Sequence, residues 1–509
     1  MMQKHLIILF LILLSGTTLF ATESAFRGAL EPGPHAVGFQ ILPRFDYGRP
    51  YKLKTDYDGN KISGERARPI QINVWYPAEN SGQPGMPLSE YVHLTSIEET
   101  PGELTDQGKQ QSENSFLKAR WFQGYPEDGL KELLQKQTAA IRNGRPADGK
   151  YPLIVIANST GIAAPFGHFV LAEYLARHGY VVASIPTRGA QSPALDIRDT
   201  AVQMQDIQFT IAALHDHPAV DPDRLALVGF GWGGVATALL AMHNPDVDAM
   251  ISLDSAPANK FGFSILFKSS FYQPNQFRIP LLHITNQEEN PYAENSFFKG
   301  TKFSSAQYVK IKGLSAADFS SFAMIKALLP AKEGRPDVKS GYEALCVYVH
   351  QFLNATVKKE AAGKQYLQNK PEDNGLPAGL VSVEFKSAIK TPPTDQQFAE
   401  ILRTKGIEKA AAIQHEFAAL DPQFRIYDSD VLLGVAGEYA QARKFDEAIA
   451  VLKLCQEVYP DDSEIFDQMG YIYMNSGNKQ LAVENFSKSL DLNPDNPETA
   501  AALKKLQES

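Results

Sequence analysis

The chain has 509 residues, more than a single hydrophobic core normally accommodates, so two or three domains are expected. Apolar residues make up 44% and charged residues 21%, an ordinary composition for a folded protein. The net charge of −9 argues against a nucleic-acid or anionic-membrane partner, because both require a clustered positive field. The sequence has no metal-ligand spacing, and no cofactor is predicted.

The first residues have the three-part layout of a secretory signal. A short basic start at residues 1–5 precedes the unbroken apolar run 6–14, and small residues follow, with Ala21 at a position suited to cleavage. The apolar run is too short to span a bilayer comfortably. We therefore predict a signal peptide at residues 1–21, no stable membrane span after its cleavage, and a periplasmic or secreted protein. An uncleaved membrane anchor is the alternative.

Between residues 150 and 312, short apolar runs alternate with helical patterns. Several runs are apolar at nearly every position, as strands buried on both faces must be. This alternation predicts an α/β fold, with βαβ units in a mainly parallel sheet flanked by helices. The predicted strands are 152–157, 180–185, 224–229, 249–254, 279–285 and 307–311, with helices at 167–178, 197–214 and 234–243.

Flanking segments complete a domain predicted over residues 22–360. Two strands, 35–45 and 70–76, are expected to open the sheet as an antiparallel edge. The polar stretch 81–149 interrupts the alternation and is predicted to be a surface insertion or lid. An amphipathic helix at 342–358 would close the domain.

The C-terminal part repeats with a period of 34 residues. The matched pairs are Tyr439 and Tyr473, Ala448 and Ala482, and Pro460 and Pro494. This is the period and residue pattern of tetratricopeptide repeats, so residues 395–509 are predicted to form an all-α array that binds a protein or peptide. The predicted repeats are 429–462 and 463–496, a capping helix or helix pair falls at 396–420, and the polar stretch 361–394 is predicted to be a linker.

The segment 225–234 reads Leu-Ala-Leu-Val-Gly-Phe-Gly-Trp-Gly-Gly. A strand that runs into Gly-x-Ser-x-Gly and then into a helix of small residues is the nucleophile elbow of α/β-hydrolases. The flanking glycines are present, but Gly231 stands where the chemistry requires serine. Glycine-rich turns also hold phosphates in dinucleotide folds. That alternative is disfavoured because this turn lies in the middle of the predicted sheet, not after its first strand.

From about Pro32 to Lys358, the chain resembles the dienelactone hydrolase and platelet-activating-factor acetylhydrolase group of α/β-hydrolases. The resemblance rests on residues 32–38 (Pro-Gly-Pro-His-Ala-Val-Gly), residues 74–78 (Val-Trp-Tyr-Pro-Ala), the elbow and the closing helix. It implies a Ser-Asp-His triad with an oxyanion hole. Asp254 matches the acid position of the acetylhydrolases, whereas Glu288 lies where many other α/β-hydrolases have their acid.

The same resemblance places the triad histidine in a Gly-x-x-His segment shortly before Asp-Phe. The chain has Gly-Leu-Ser-Ala-Ala-Asp-Phe there, so Ala316 occupies the histidine position. After the strand 152–157, the family commonly has His-Gly, whereas this chain has Asn158 followed by Ser159, Thr160 and Gly161. The backbone amide of Trp232 and one from the 159–161 loop would supply the oxyanion donors.

Two missing triad residues predict a catalytically degenerate hydrolase domain that binds a small ester-like ligand and is joined to a protein-binding module. One alternative is an active ester or lactone hydrolase with an unconventional nucleophile. Ser159, Thr160 and Ser255 are the candidates, because ligands meet open α/β sheets at the carboxyl ends of strands. A second alternative is a scaffold in which the tetratricopeptide repeats carry the function.

Overall fold

The structure is a computed structural model that describes residues 23–52, 55, 60–61, 63–100, 102, 104–159, 164–189, 200–286, 292–294, 296–330, 338–420, 422 and 424–508. The chain divides into two compact units, the first ending at Ser387 and the second beginning at Ala388. The predicted signal peptide lies outside the described residues. Among the helices that the structure describes, none is long and apolar enough to cross a membrane.

A ten-stranded sheet forms the centre of the first unit. Its strands are β1 (Ala36–Tyr51), β2 (Arg66–Ala78), β3 (Ala140–Arg142), β4 (Tyr151–Ala157), β5 (Val181–Ile185), β6 (Val220–Phe230), β7 (Val247–Leu253), β8 (Leu281–Asn286), β9 (Ala306–Ile311) and β10 (Val381–Lys386). Their order is β10-β9-β8-β7-β6-β4-β5-β2-β1-β3, and β4 to β9 run parallel. The predicted parallel strands and the antiparallel strands β1 and β2 are confirmed.

Helices cover both faces of this sheet. They are α1 (Leu88–His93), α2 (Asp106–Leu117), α3 (Glu127–Leu134), α4 (Ala164–Gly167), α5 (Phe169–Arg177), α6 (Thr200–Leu214), α7 (Gly233–His243), α8 (Lys260–Lys268), α9 (Ser296–Gly300), α10 (Phe322–Ala327), α11 (Val338–Thr356) and α12 (Ala361–Gln368). Helices α5 and α11 pack on one face, and α6 and α7 pack on the other. Each face buries its own apolar core, which explains why the central strands are apolar at nearly every position.

The strand order changes direction beside β4. From β4 the chain crosses to β5 on one side, and it then returns to β6 on the other side of β4 before continuing outward to β9. The connection that leaves β4 towards β5 and the connection that leaves β6 towards β7 therefore run in opposite directions, which opens a crevice at the carboxyl ends of β4 and β6. In open α/β sheets this switch point is where ligands bind.

The insertion at 81–149 is more deeply packed than a surface cover would be. Leu88, Tyr91 and Val92 of α1 are fully buried in the same core as the central strands. Strand β3 extends the sheet by pairing in parallel with β1. The insertion therefore belongs to the body of the first unit.

The linker predicted at 361–394 differs from the structure over residues 361–386. This stretch contains α12 and β10, and β10 pairs antiparallel with β9 from Val381 to Lys386. The Lys386 ammonium donates to the carbonyl oxygens of Phe298 and Thr301 at 2.9 and 2.7 Å. Of the six side chains of β10, only Val381 is buried, so this edge strand does not show an apolar pattern in the sequence.

The second unit is a helical array. Its helices are α13 (Asp395–Lys405), α14 (Ile407–Leu420), α15 (Ser429–Gln441), α16 (Phe445–Val458), α17 (Ser463–Asn475), α18 (Lys479–Leu492) and α19 (Pro497–Glu508). The predicted repeats correspond to the pairs α15–α16 and α17–α18. Ala448 and Ala482 are fully buried, and a Cβ on Gly470 would come within 2.5 Å of the Phe486 ring. The small residues of the repeat are thus required by close helix packing.

A buried polar network joins the insertion to α5. The Trp75 indole N–H donates to the Tyr91 hydroxyl at 2.6 Å, and that hydroxyl donates to the Glu173 carboxylate at 2.9 Å. The Ala139 N–H donates to the second carboxylate oxygen at 3.0 Å. Burial raises the pKa of Glu173 to about 7.

We expect Glu173→Gln to change how the stability of the first unit depends on pH. Between pH 4.5 and about 7 the native state holds the Glu173 proton that the unfolded chain releases, so this group's stabilising contribution falls as pH rises. The wild type should therefore lose roughly 3 kcal/mol relative to the variant between pH 4 and 8. Urea unfolding followed by tryptophan fluorescence measures this, because Trp75, Trp121 and Trp232 all lie in the first unit.

Buried histidines such as His168 and His283, whose pKa burial lowers to about 3, destabilise the fold as pH falls. They are common to both proteins and cancel in the difference. Equal pH slopes for the variant and the wild type would contradict the assignment to Glu173.

Limited proteolysis with trypsin should cut between residues 387 and 394, where Lys390 is exposed, and not within α12 or β10.

A chain that ends at Ser387 should keep the unfolding temperature of the first unit. A chain that ends at Glu360 should unfold at lower temperature, because it leaves the β9 edge unpaired. Equal unfolding temperatures for the two truncations would show that β10 contributes nothing to the sheet.

Candidate functional site

Three of the predicted site positions lie in one row at the switch point. The strand register pairs Ala157 of β4 with Gly229 of β6, and Phe230 of β6 with Leu253 of β7. Continuing each strand by one or two residues places Ser159, Gly231 and Asp254 side by side at the carboxyl ends of β4, β6 and β7. The structure therefore brings together the predicted nucleophile position, the predicted acid and part of the oxyanion loop.

Gly231 has the backbone conformation of a nucleophile elbow. Its φ is +52°, in the left-handed region, and its carbonyl accepts hydrogen bonds from the N–H groups of Gly234 at 3.2 Å and Ala256 at 2.7 Å. The next turn of chain lies so close to β4 that a Cβ on Gly233 would come within 2.0 Å of the Ala157 carbonyl oxygen. The elbow is therefore formed without the serine that it normally presents.

The Ser159 side chain occupies the space next to the missing nucleophile. A Cβ on Gly231 would lie 2.5 Å from the Ser159 Oγ and 2.6 Å from its Cβ, both closer than non-bonded atoms approach. The Trp232 N–H donates to the Ser159 Oγ at 3.4 Å. The amide predicted to stabilise an oxyanion thus already has an acceptor within the protein.

Asp254 follows β7 in a strained conformation. Its φ is +40°, which is rare for a residue other than glycine. Its carboxylate accepts from the Thr285 hydroxyl at 3.3 Å, and burial raises its pKa. Within the described part of the chain, no histidine is hydrogen-bonded to this carboxylate.

The segment that should carry the histidine is organised differently. Ala316 is exposed on a 3-10 turn at 316–319, and the Ser315 N–H donates to the Asp318 carboxylate at 2.9 Å. Asp318 also forms a buried ion pair with Lys326 at 2.8 Å. The turn is therefore stabilised by a capping box and an ion pair, and it presents no imidazole.

Ser255, an alternative nucleophile, lies in a buried network that the sequence did not reveal. Its hydroxyl is 2.5 Å from that of Ser252, which is 2.8 Å from His283 Nδ1. Ser252 and His283 are neighbours because β7 and β8 pair at this register. Ser255 is only 2% exposed, and burial lowers the pKa of His283 to about 3, so this serine–histidine chain is closed to solvent.

His168 is a second histidine that sequence reasoning missed. Its ring packs edge-on against Phe230, the residue before Gly231, with the ring centres 5.0 Å apart. Among the residues that the structure describes, neither ring nitrogen has a hydrogen-bond partner. Burial lowers its pKa to about 3, so the ring is neutral.

Other predicted site residues lie outside the described residues, namely Thr160, Gly161 and the alternative acid Glu288. Trp232 lies at the start of α7, and its ring packs edge-on against Phe261 with the ring centres 5.6 Å apart. Over the described ranges, no cluster of His, Cys, Asp and Glu is suited to a metal ion.

Two family models match parts of the chain. Residues 140–260 match the model of the dienelactone hydrolase family, and residues 463–496 match a tetratricopeptide repeat model. The first match contains Ser159, Gly231 and Asp254 and ends before Ala316. No curated protein matches the chain.

Among solved structures, the chain is similar to a ferulic acid esterase from Streptomyces cinnamoneus, with 17% identity and a TM-score of 0.47. The similarity covers 69% of this chain and 96% of the esterase chain. The first unit has an α/β-hydrolase fold, with a mainly parallel sheet and an elbow, and its residues 140–260 are similar to the dienelactone hydrolase family; the second unit is a helical array that contains a tetratricopeptide repeat.

Proposed function

We propose that the first unit is a catalytically degenerate hydrolase domain that binds a small ester-like ligand at the elbow, and that the tetratricopeptide array binds a protein or peptide. The observation that carries this proposal is the pairing of Gly231 with Ser159. Residue 231 has no hydroxyl, and the space that its side chain would need is filled by Ser159.

The remaining groups also argue against ordinary serine-hydrolase chemistry. The Ser159 hydroxyl accepts from the Trp232 amide, so it competes with any oxyanion for that donor. No histidine among the described residues is hydrogen-bonded to Asp254, and burial raises the pKa of this carboxyl group. Loss of a triad serine or histidine alone lowers turnover by on the order of a million-fold.

The second candidate function is hydrolysis of an ester or lactone with Ser159 as nucleophile. It is favoured by the position of the Ser159 hydroxyl beside Gly231 and by the unpartnered nitrogens of His168 near Phe230. A serine needs an adjacent base to become nucleophilic, and His168 is 1% exposed and neutral. The degenerate site is therefore the better-supported function.

Export is proposed from the signal pattern at residues 1–21. Shortly after this segment the chain is packed into the first unit: Phe26 is fully buried and contacts Phe169, with the ring centres 5.2 Å apart. For the array, the supporting feature is an open groove of about 790 Å³ along α13, lined mainly by residues of that helix and by Val431. Grooves of this kind accommodate peptide segments.

A fluorophosphonate probe should not label the protein, and its turnover of nitrophenyl acetate should stay near background. Both results follow because residue 231 has no hydroxyl and no described histidine contacts Ser159. Intact mass and peptide mapping measure the labelling. Ser159→Ala is the matched control. If the wild type were labelled stoichiometrically and this variant were not, Ser159 would be a nucleophile, and the proposal of a catalytically degenerate site would be wrong.

We expect Gly231→Ala to destabilise the first unit and Ser159→Gly to relieve part of that cost. The left-handed φ of residue 231 costs a side chain roughly 1–3 kcal/mol, and the contact with Ser159 adds to this. Urea unfolding of the two single variants and the double variant gives their coupling energy.

Ser159→Ala serves as the control in that cycle, because it keeps the Cβ that lies 2.6 Å from the new side chain and should give little relief. Equal relief by glycine and alanine would contradict the steric account. By the same geometry, Gly231→Ser alone should restore no activity, because the Ser159 side chain fills the space that the new side chain needs and no described histidine is hydrogen-bonded to Asp254.

A further inference from the structure

Beside the elbow, α8 presents an exposed aromatic surface. Phe261 is 61% exposed and Phe267 is 63% exposed, although both belong to a unit whose other large apolar side chains are mostly buried. Two more exposed rings, Phe271 and Tyr292, flank the helix. We call these four residues, together with Lys260 and Lys268, the α8 surface.

The opposite face of α8 packs against the first unit. Leu266 and Gly262 are buried against the body of the unit. The half-buried rings of Phe263 and Tyr272 lie 6.0 and 5.7 Å from that of Phe267. The exposed ring of Phe267 is therefore supported by packed neighbours.

Two exposed lysines lie on the same helix as the rings of Phe261 and Phe267. Lys260 and Lys268 are exposed at the two ends of α8, and at 100° per residue they fall on the same outward face as Phe261 and Phe267. Helix α8 contains Lys260 and Lys268 but no Asp or Glu, whereas Glu288, Glu289 and Glu294 follow in the sequence around Tyr292. The Glu294 carboxylate accepts from the Ser296 N–H at 2.8 Å. The outward face of α8 itself is thus cationic.

We propose that the α8 surface docks on an anionic phospholipid bilayer. Aromatic rings are favoured at the level of the lipid headgroups, and neighbouring lysines are attracted to their phosphates. A helix of nine residues that carries both lies on the bilayer without spanning it. Charge complementarity selects this occupant, because in a two-fold contact between two copies the lysines would face the lysines of the same patch.

The α8 surface lies next to the elbow. Phe261 packs against Trp232, which directly follows Gly231. A lipid contact at α8 would therefore bring the bilayer close to the elbow. The lipid contact itself does not depend on whether the elbow binds a ligand or performs chemistry.

Vesicle sedimentation of the full chain tests the proposal, with vesicles of equal phosphatidylglycerol and phosphatidylcholine compared with phosphatidylcholine alone. Phe261→Ser with Phe267→Ser should weaken binding to the anionic vesicles by more than tenfold. Lys260→Glu with Lys268→Glu should weaken it at least as much and abolish its salt dependence. Phe385→Ser is the matched control, since Phe385 is 62% exposed on β10 beside Glu384; it should bind as the wild type does.

Trp232 provides a second readout, because its fluorescence should shift to shorter wavelength on anionic vesicles in the wild type and not in the phenylalanine variants. The proposal would be overturned by wild-type protein that stays in the supernatant, by equal binding to both vesicle types, or by equal weakening in Phe385→Ser. A lipid-free dimer that the α8 variants dissociate would instead assign the surface to a second copy.

Discussion

The close approach of the β6–α7 turn to its neighbours is the constraint on which the rest of the site depends. Gly233 lies against the Ala157 carbonyl of β4, and a Cβ on Gly234 would come within 2.3 Å of the Ser255 Cβ. No larger residue fits at either position unless the end of β4 or the loop after β7 moves. These two glycines of the elbow are therefore required by packing, and they are present although residue 231 is not a serine.

The fold could be predicted from the sequence because the central strands are buried on both faces and therefore appear as unbroken apolar runs. It also placed Gly231, Asp254 and Ser159 at one edge of the sheet, since parallel strands bring their carboxyl ends together. It did not reveal that Ser159 fills the space beside Gly231, because that contact depends on the register of β4 against β6. The network of Ser252 with His283 was missed for the same reason: the two residues meet only through strand pairing.

Averages over the chain concealed two local features. The stretch 361–394 has few apolar residues, yet its backbone completes the sheet through β10, where hydrogen bonds and not side chains supply the contact. The net charge of −9 predicted no anionic-membrane partner, whereas the charged residues of α8 itself, Lys260 and Lys268, are both cationic. Both features involve only a few residues, so whole-chain composition does not reveal them.

The contact between Ser159 and Gly231 also bears on how such a site changes over time. A serine restored at position 231 would meet the Ser159 side chain at 2.5 Å, in a backbone conformation that already disfavours any side chain. Gly231→Ser alone would thus yield a protein less stable than the double variant that also carries Ser159→Gly. If the site is degenerate as proposed, steric epistasis of this kind would act as a ratchet, because a serine could return to position 231 without strain only after residue 159 had changed.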